Sequence, residues 1–507
     1  MTAARRWTAL GVLTLAVLLI SIDATVLGLA LPHLTEDLRP TATEVLWIGD
    51  AYSFVLAGLL VTMGTLGDRI GRKKLLLIGA VGFGLASIPA AYAPTAGVLI
   101  AARVLLGVAG ATLMPSTLSL IRNIFTDPKQ RSLAIGIWGS AASAGAAVGP
   151  LVGGLLLDHF WWGSVFLINI PVMVLLVVIG AKVLPESRDP HPGRWDLPSV
   201  GLSMVGVVGV VYAIKEIAAY GPAQPFAWIA GVAGAVALVL FGRRQKQLES
   251  PLVDLRLFAN ARFSGAVLAD LLTIVGLTAV AFFVSQFFQL VQGYSPLQAG
   301  LREIPAVAAA AVGALCAGRL AAALSPRVVV PAALAMVGLG LAGIVVLTAN
   351  TPYLQIAVIM VVLGLGAGVS TTVTADLILS SVRKEKAGAA SAVSEMAYEL
   401  GTALGIALLG TILTAVYRAQ IVVPAGADPI TAGDSVGGAL SEAAHLPAAM
   451  GAALAASART AFVSGLQLAA GFGAVLLLVA AVAAWFMLGR PGQESVDEPE
   501  LAEITER

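Results

Sequence analysis

The chain has 507 residues, of which 58% are hydrophobic and only 12% charged, with a net charge of +1. A soluble domain carries roughly 25% charged residues, so this composition and a mean hydropathy of +0.92 exclude a water-soluble globule and describe a protein dissolved in the lipid bilayer. The cations sit in short clusters between apolar runs, which excludes nucleic-acid binding, and the single cysteine, Cys316, excludes an intramolecular disulfide.

A membrane-crossing helix needs about 20 apolar residues. That ruler finds fourteen spans, near 8–31, 46–66, 75–93, 98–121, 132–157, 164–184, 197–217, 226–242, 262–291, 300–323, 328–348, 353–380, 388–417 and 460–488. The first follows Arg5-Arg6, is too long for a signal-peptide core and lacks a small-residue cleavage site. An even number of spans puts both termini on one side. With that side as the cytoplasm, Arg39, Lys215, Arg302, Arg418 and Arg459 fall outside and Arg103 lies within a helix; every other Lys and Arg is cytoplasmic. The positive-inside rule expects this asymmetry.

In chain order, the first span carries Asp23 in Ile22-Asp-Ala-Thr-Val-Leu-Gly-Leu-Ala-Leu-Pro32. The second carries Trp47-Ile-Gly-Asp50-Ala-Tyr52 and ends in the basic, glycine-rich run Gly64-Thr-Leu-Gly67-Asp68-Arg69-Ile-Gly71-Arg72-Lys-Lys74. Such a run cannot sit in hydrocarbon, so it is a tight loop between two helices, with Asp68 placed among cations to hold a neighbouring helix end. Arg103 lies inside the fourth span, and at 1.5 Å per residue it and Asp23 sit roughly 8 and 12 Å below the outer surface, within reach of each other. A charge at that depth is costly unless paired or hydrated, so it marks function.

The fifth span holds Gly145-Ala-Ala-Val-Gly149-Pro150-Leu-Val-Gly153-Gly154, a stripe of small residues with a proline kink. Trp161 to Pro171, including Asn169, and Trp195 to Gly201 mark the starts of the sixth and seventh spans and have structural roles. Asp270 in the ninth span is expected to be a hydrated acid near the cytoplasmic end. Gly318-Arg319 followed by Arg327 is a degraded copy of the Gly64–Lys74 loop, at the same place in a second set of six helices. Asp376 precedes the basic cluster at Arg383, and Glu395 and Glu399 stand one turn apart on the thirteenth span. Paired carboxylates raise each other's pKa, so they can hold protons until a cation displaces them. The stretch 422–459 reads as an external loop with some helix, and 493–507 as an acidic disordered tail. There is no phosphate-binding loop for ATP, no metal-ligand cluster among His33, His159, His191 and His445, and no nucleophile elbow; no cofactor and no enzymatic chemistry are expected.

Several of these runs resemble one family. The Gly64–Lys74 pattern resembles the loop between helices two and three of the major facilitator superfamily. The Gly145–Gly154 pattern resembles the antiporter motif of its exporters, and the Asp23 and Arg103 segments resemble the first- and fourth-helix motifs of its fourteen-span drug:proton antiporters. Trp47–Tyr52 together with Ser394-Glu395 and Tyr398-Glu399 resembles the exporters of quaternary ammonium compounds and dyes in that group; fluoroquinolone pumps belong to it too.

The resemblance implies an all-α integral membrane protein of the major facilitator fold, with fourteen helices in two six-helix bundles (1–190 and 259–490), two inserted helices over 191–258, an external loop over 418–459 and a cytoplasmic tail over 491–507. It implies a monomeric antiporter of a bacterial cytoplasmic (inner) membrane that exchanges protons for lipophilic cationic drugs. Asp23, Arg103, Glu395 and Glu399 would couple protons. Asp23, Asp50, Tyr52, Asp376, Glu395 and Glu399 would bind substrate, beside aromatic residues such as Phe54, Phe282, Phe283, Phe287 and Phe288. Gly64, Gly67, Asp68, Arg69, Gly71 and Arg72, with Gly145, Gly149, Pro150, Gly153 and Gly154, would gate. The alternatives are a dedicated exporter of one natural product, an antibiotic or siderophore, and a membrane sensor without flux.

Overall fold

Hydrocarbon offers no partners to backbone N–H and C=O groups, so a chain this apolar must satisfy them within each segment as helix. The computed structural model does so, and describes residues 1–38, 40, 42–188, 196–221, 223–248, 251, 255–382 and 387–489. Its long helices are α1 (Ala3–Leu38), α2 (Ala42–Ile70), α3 (Arg72–Ala91), α4 (Ala96–Ile124), α5 (Pro128–His159), α6 (Asn169–Val183), α7 (Leu197–Tyr220), α8 (Pro225–Gln245), α9 (Ala261–Gln286), α10 (Pro296–Leu324), α11 (Pro326–Ile344), α12 (Tyr353–Ser380), α13 (Ala387–Gln420) and α14 (Ala448–Leu488). One turn, Ser164–Leu167, leads into α6, and a π-helical turn, Phe287–Val291, extends α9. Thirteen of these stretches are long and apolar enough to cross a membrane; α5, with 32 residues, has the length as well. The tail 491–507 and Trp195 lie outside the described residues.

Two apolar cores organise the helices. The first joins α1 to α6 around Leu13, Leu60, Leu76, Phe83, Leu106 and Phe166. The second joins α9 to α14 around Phe287, Leu334, Val337, Leu363 and Leu477. The inserted pair packs on itself through glycines: Gly209 of α7 lies against Ala230 and Gly234 of α8. A third, small cluster sets α7 between the halves, with Val207 and Val211 against Phe54, Ala57 and Ala403. At the pair's base, Arg244 donates to both carboxylate oxygens of Asp196 at 2.6 and 2.8 Å, which holds that carboxyl down at about 2.

The helices overrun the apolar windows, because a helix continues into the polar interface wherever propensity and packing allow. The largest excess is in α14, 41 residues long. It begins inside the stretch expected to be an external loop. Two short helices, Pro429–Asp434 and Val436–Ala443, fill the rest and pack on α14 through Ala432, Val436, Ala439 and Leu454. The Tyr417 hydroxyl donates to the Ala432 carbonyl at 2.9 Å. This segment is a folded cap continuous with the second core.

Two connections are reduced to a single residue with positive φ: Gly71 (φ 112°) between α2 and α3, and Ser325 (φ 69°) between α10 and α11. Ser325 therefore occupies the place in the second half that Gly71 occupies in the first, and the weak repeat read in the sequence is a repeated turn.

Candidate functional site

The basic end of the molecule carries the Gly64–Lys74 connection. Asp68 is buried there, and its Oδ1 accepts from Arg72 Nε and Nη2 at 2.8 and 2.6 Å. The same carboxylate accepts from the first backbone N–H groups of α13, Gly388 at 3.0 Å and Ala389 at 3.2 Å. An acid from one half thus caps the N-terminus of a helix in the other, where free N–H groups and the helix dipole favour negative charge. Gly388 is required for this approach: a Cβ there would stand 2.3 Å from the Gly64 carbonyl and 2.4 Å from Asp68 Oδ1. Arg72 is held in turn by Ser187, whose Oγ accepts from Nη1 at 2.9 Å and whose carbonyl accepts from the Arg72 N–H at 2.9 Å. Two further contacts join the halves at this end. Arg131 of α5 pairs with Asp376 of α12 at 2.6 Å, and Arg122 of α4 donates to the Val382 carbonyl.

Asp376 was expected beside substrate. It lies instead in this contact between halves, because α5 begins with the arginine that reaches it. The small-residue stripe of α5 also divides by role. Gly145 and Gly149 admit α1, since a Cβ on them would meet the Leu18 carbonyl at 2.5 Å and Thr25 Oγ1 at 1.9 Å, whereas one on Gly154 would meet nothing within 4 Å. Gly153 is buried and Gly67 lies beside Leu75 and Ser116; the Pro150 side chain is outside the described residues.

Deeper in the first half, Asp23 and Arg103 meet as their depths required, with Arg103 Nη1 3.2 Å from Asp23 Oδ2. They are 4% and 2% exposed, so the pair lies in low dielectric and needs every polar atom engaged. Asn169 Nδ2 donates to Asp23 Oδ1 at 2.9 Å and lies 3.2 Å from Ser87 Oγ, while Arg103 Nε donates to the Ile48 carbonyl at 3.2 Å. The Arg103 guanidinium stacks over the Tyr52 ring, 4.7 Å from its centroid. The Tyr52 hydroxyl and Asn169 Oδ1 are buried with no hydrogen-bond partner among the described residues. The sequence reading gave Asn169 a structural role only, because its segment looks like a helix start.

The second half brings several carboxylates together on α9 and α13. Glu395 is 5% exposed and has no hydrogen-bond partner among the described residues; Glu399 and Asp270 are its electrostatic neighbours. Glu399, half-buried one turn on, also acts electrostatically on Tyr52 and so connects the α13 acids with the Asp23–Arg103 cluster. Asp270 is buried and lies nine residues into α9. It takes 3.0 and 3.2 Å contacts from Thr374 Oγ1 and Ser394 Oγ, because α12 and α13 each present a hydroxyl at its level. Among the expected aromatic lining, Phe287 and Phe288 are fully buried and stack on each other. Phe283 is buried and Phe54 packs edge-on against Tyr212. Tyr52 is the aromatic that meets the charges. The Asp50 and Phe282 side chains lie outside the described residues.

The sequence profile of the Major Facilitator Superfamily matches residues 13–406. Among curated proteins, the chain is 50% identical to the multidrug efflux pump LfrA of Mycolicibacterium smegmatis, over 95% of this chain and 96% of that one. It is 36% identical to the methyl viologen resistance protein SmvA of Salmonella typhimurium, over 96% and 99%, and 33% identical to the puromycin resistance protein pur8 of Streptomyces alboniger, over 99% and 95%. Among solved structures, its fold is similar to that of the human organic anion transporter MFSD10, with a TM-score of 0.62 at 14% identity, over 96% of this chain and all of that one.

Proposed function

The chain belongs to the major facilitator superfamily, and from that premise we propose that it is a proton-coupled antiporter exporting lipophilic cations across a bacterial cytoplasmic membrane. Its relatives include a multidrug efflux pump and a methyl viologen resistance protein, so the activity is drug efflux and not enzymatic chemistry. The observation that carries the choice of substrate is a difference in charge balance. Asp23 has Arg103 at 3.2 Å, but Glu395 is buried with carboxylates for neighbours. A buried carboxylate with other carboxylates for neighbours is costly to ionise, so it holds a proton until a cation arrives. A lipophilic cation arriving at Glu395 and Glu399 supplies a positive charge and displaces the proton, and protons from the outside displace it in turn. Asp23 stays poised against Arg103, so a proton on Asp23 frees the guanidinium and rearranges Asn169 and Tyr52 around it.

The basic end is the cytoplasmic one, and the contacts of Asp68, Arg131 and Arg122 across the halves are the inner gate in its closed form. With that gate closed, Glu395 would be reached from the outside.

The deciding experiment uses purified protein in liposomes, with ethidium as monocation, methyl viologen as dication and an imposed pH gradient. The wild type accumulates both, and Asp23→Asn abolishes accumulation while ethidium still binds. Accumulation indifferent to the pH gradient would falsify the coupling. A dedicated natural-product exporter is the second reading, favoured by the similarity to a puromycin resistance protein; export of puromycin with neither cation carried would select it.

A further inference from the structure

Asp270 stands apart from every acid assigned so far. It lies on α9, nine residues past Ala261 and therefore about 14 Å into the bundle from the basic end. It forms no ion pair among the described residues, and its contacts are two hydroxyls, Thr374 Oγ1 at 3.0 Å and Ser394 Oγ at 3.2 Å. The proton count at Thr374 is informative. Its single hydroxyl proton has three acceptors in reach, the Ser370 and Thr371 carbonyls at 2.9 and 3.1 Å and Asp270 Oδ1. Carbonyls only accept. With its proton turned to Oδ1 the hydroxyl serves the carboxylate, and with its proton on a carbonyl it can accept from the protonated carboxyl, so the contact fits both states of Asp270.

On α13 Glu395 and Tyr398 feel the charge of Asp270, with Glu399 one turn beyond Glu395, and on α12 Asp376 is held by Arg131. Arg262 stands at the start of α9, about 12 Å along the helix, with Arg256 before it. Arg327 of α11 stacks on Trp485, Arg459 of α14 donates to the Leu290 carbonyl, and Arg302 of α10 stacks on Tyr294 beside Glu303. A carboxylate so placed, with an acid for a neighbour and only two hydroxyls to share its charge, bears part of the cost of a buried charge. A second, independent feature lies on the same helix as Ser394. Ser391 Oγ, one turn before Glu395 on α13 and fully buried, has no hydrogen-bond partner among the described residues, which leaves a hydroxyl free to serve a passing proton or water.

We propose that Asp270 is a proton-binding site of the transport cycle, loaded while α12 and α13 enclose it and unloaded toward the basic end when they part. The proton comes by way of Glu395, which protons from the outside reach while the basic end is closed. On parting, the carboxyl O–H bond breaks and the proton passes to water on the basic side, leaving a carboxylate that is then hydrated. Ser394, beside Glu395 in sequence and bonded to Asp270, is the link between the two acids. The inference rests on the antiporter reading above and adds an inner relay to it.

Asp270→Asn keeps the shape and both hydroxyl contacts but cannot exchange a proton, and Asp270→Glu keeps the proton chemistry. In liposomes, ethidium-for-ethidium exchange without a pH gradient moves no net protons and reports folding, binding and gating. Asp270→Asn is expected to retain that exchange within about twofold, while pH-driven ethidium accumulation falls about tenfold or more. Proton release on ethidium binding, read with a pH dye in weakly buffered detergent solution, should fall in parallel, and Asp270→Glu should restore both. Wild-type accumulation and proton release in Asp270→Asn overturn the proposal. So does loss of exchange in both variants, which makes Asp270 a packing residue. If Asp23→Asn loses the pH-driven step and Asp270→Asn keeps it, only the inner relay fails; if the wild type has no pH-driven step, the antiporter reading fails with it.

Discussion

The two halves meet at the basic end through two related contacts, α2 on α13 and α10 on α5, and these are built very differently. In each, a glycine seven residues ahead of a one-residue turn (64 before 71, 318 before 325) lies against the partner helix. In the first, Asp68 occupies the place between, is buried, and caps α13 through Gly388 and Ala389. In the second, the corresponding residue is Ala322, exposed and uncharged, and α5 is capped by its own Asp127, which accepts from the Gln130 N–H at 3.0 Å. The glycines differ as well. A Cβ on Gly64 would stand 2.5 Å from the Gly388 carbonyl, which is backbone, whereas one on Gly318 would stand 2.7 Å from the Ser132 side chain. In the proposed gate, one contact would be a charged latch that must release a helix end and the other a steric seat. An asymmetric gate can open by breaking the latch while the seat guides the motion.

That contrast can be broken most severely at Gly388. Gly388→Leu should prevent closure at the basic end and reduce turnover by about a hundredfold or more, since the side chain has backbone on its path; ethidium efflux from cells expressing equal amounts of protein reads it. Asp68→Asn comes next. It keeps an acceptor for α13 but loses the charge that holds Arg72 and favours the helix N-terminus, a loss of about 1–3 kcal/mol and therefore roughly ten- to hundredfold in turnover, with ethidium affinity unchanged. Affinity loss at normal turnover per bound ligand would remove Asp68 from the gate.

Arg131→Ala or Asp376→Asn should cost less, about fivefold, because the pair is partly open to water. The double swap, Arg131→Asp with Asp376→Arg, should recover most of it if the pair latches the gate; a ligand role for Asp376 would leave the swap as impaired as the single variant. The smallest effect sharpens the comparison. Ala322→Asp restores an acid to the second loop, yet the site is exposed and α5 is already capped, so turnover should stay within about twofold. A gain or loss of tenfold would mean that the second contact is a latch waiting for its charge.

Most of the fold was legible because lipid leaves a chain little choice but helices of a set length. The helix ends were not, since α1 and α14 run on beyond the apolar window and only packing stops them. Asp23 and Arg103 could be paired from their depths along two helices. Asn169 could not, because an amide near a helix start carries no mark of its target, and that target lies 146 residues away in sequence. Asp270 was misplaced for the same reason. Its hydroxyl partners are 104 and 124 residues distant, and position along α9 alone says nothing about them. Asp376 sat at the right depth for a gate but revealed nothing of Arg131. Electrostatic partners across a bundle are a property of the assembled halves.

The length of α14 has a consequence of another kind. Its 41 residues rise about 60 Å, twice the roughly 30 Å hydrocarbon thickness, and the surplus stands at the end opposite the basic loops, buttressed by the two short helices and the Tyr417 hydroxyl bond. Most proteins of this size and shape show little outside the membrane for an antibody fragment to grip or an image to be aligned on. Here a rigid knob is fixed to one half alone, so a binder raised against it would ride with that half and report its tilt without touching the cavity or the gate.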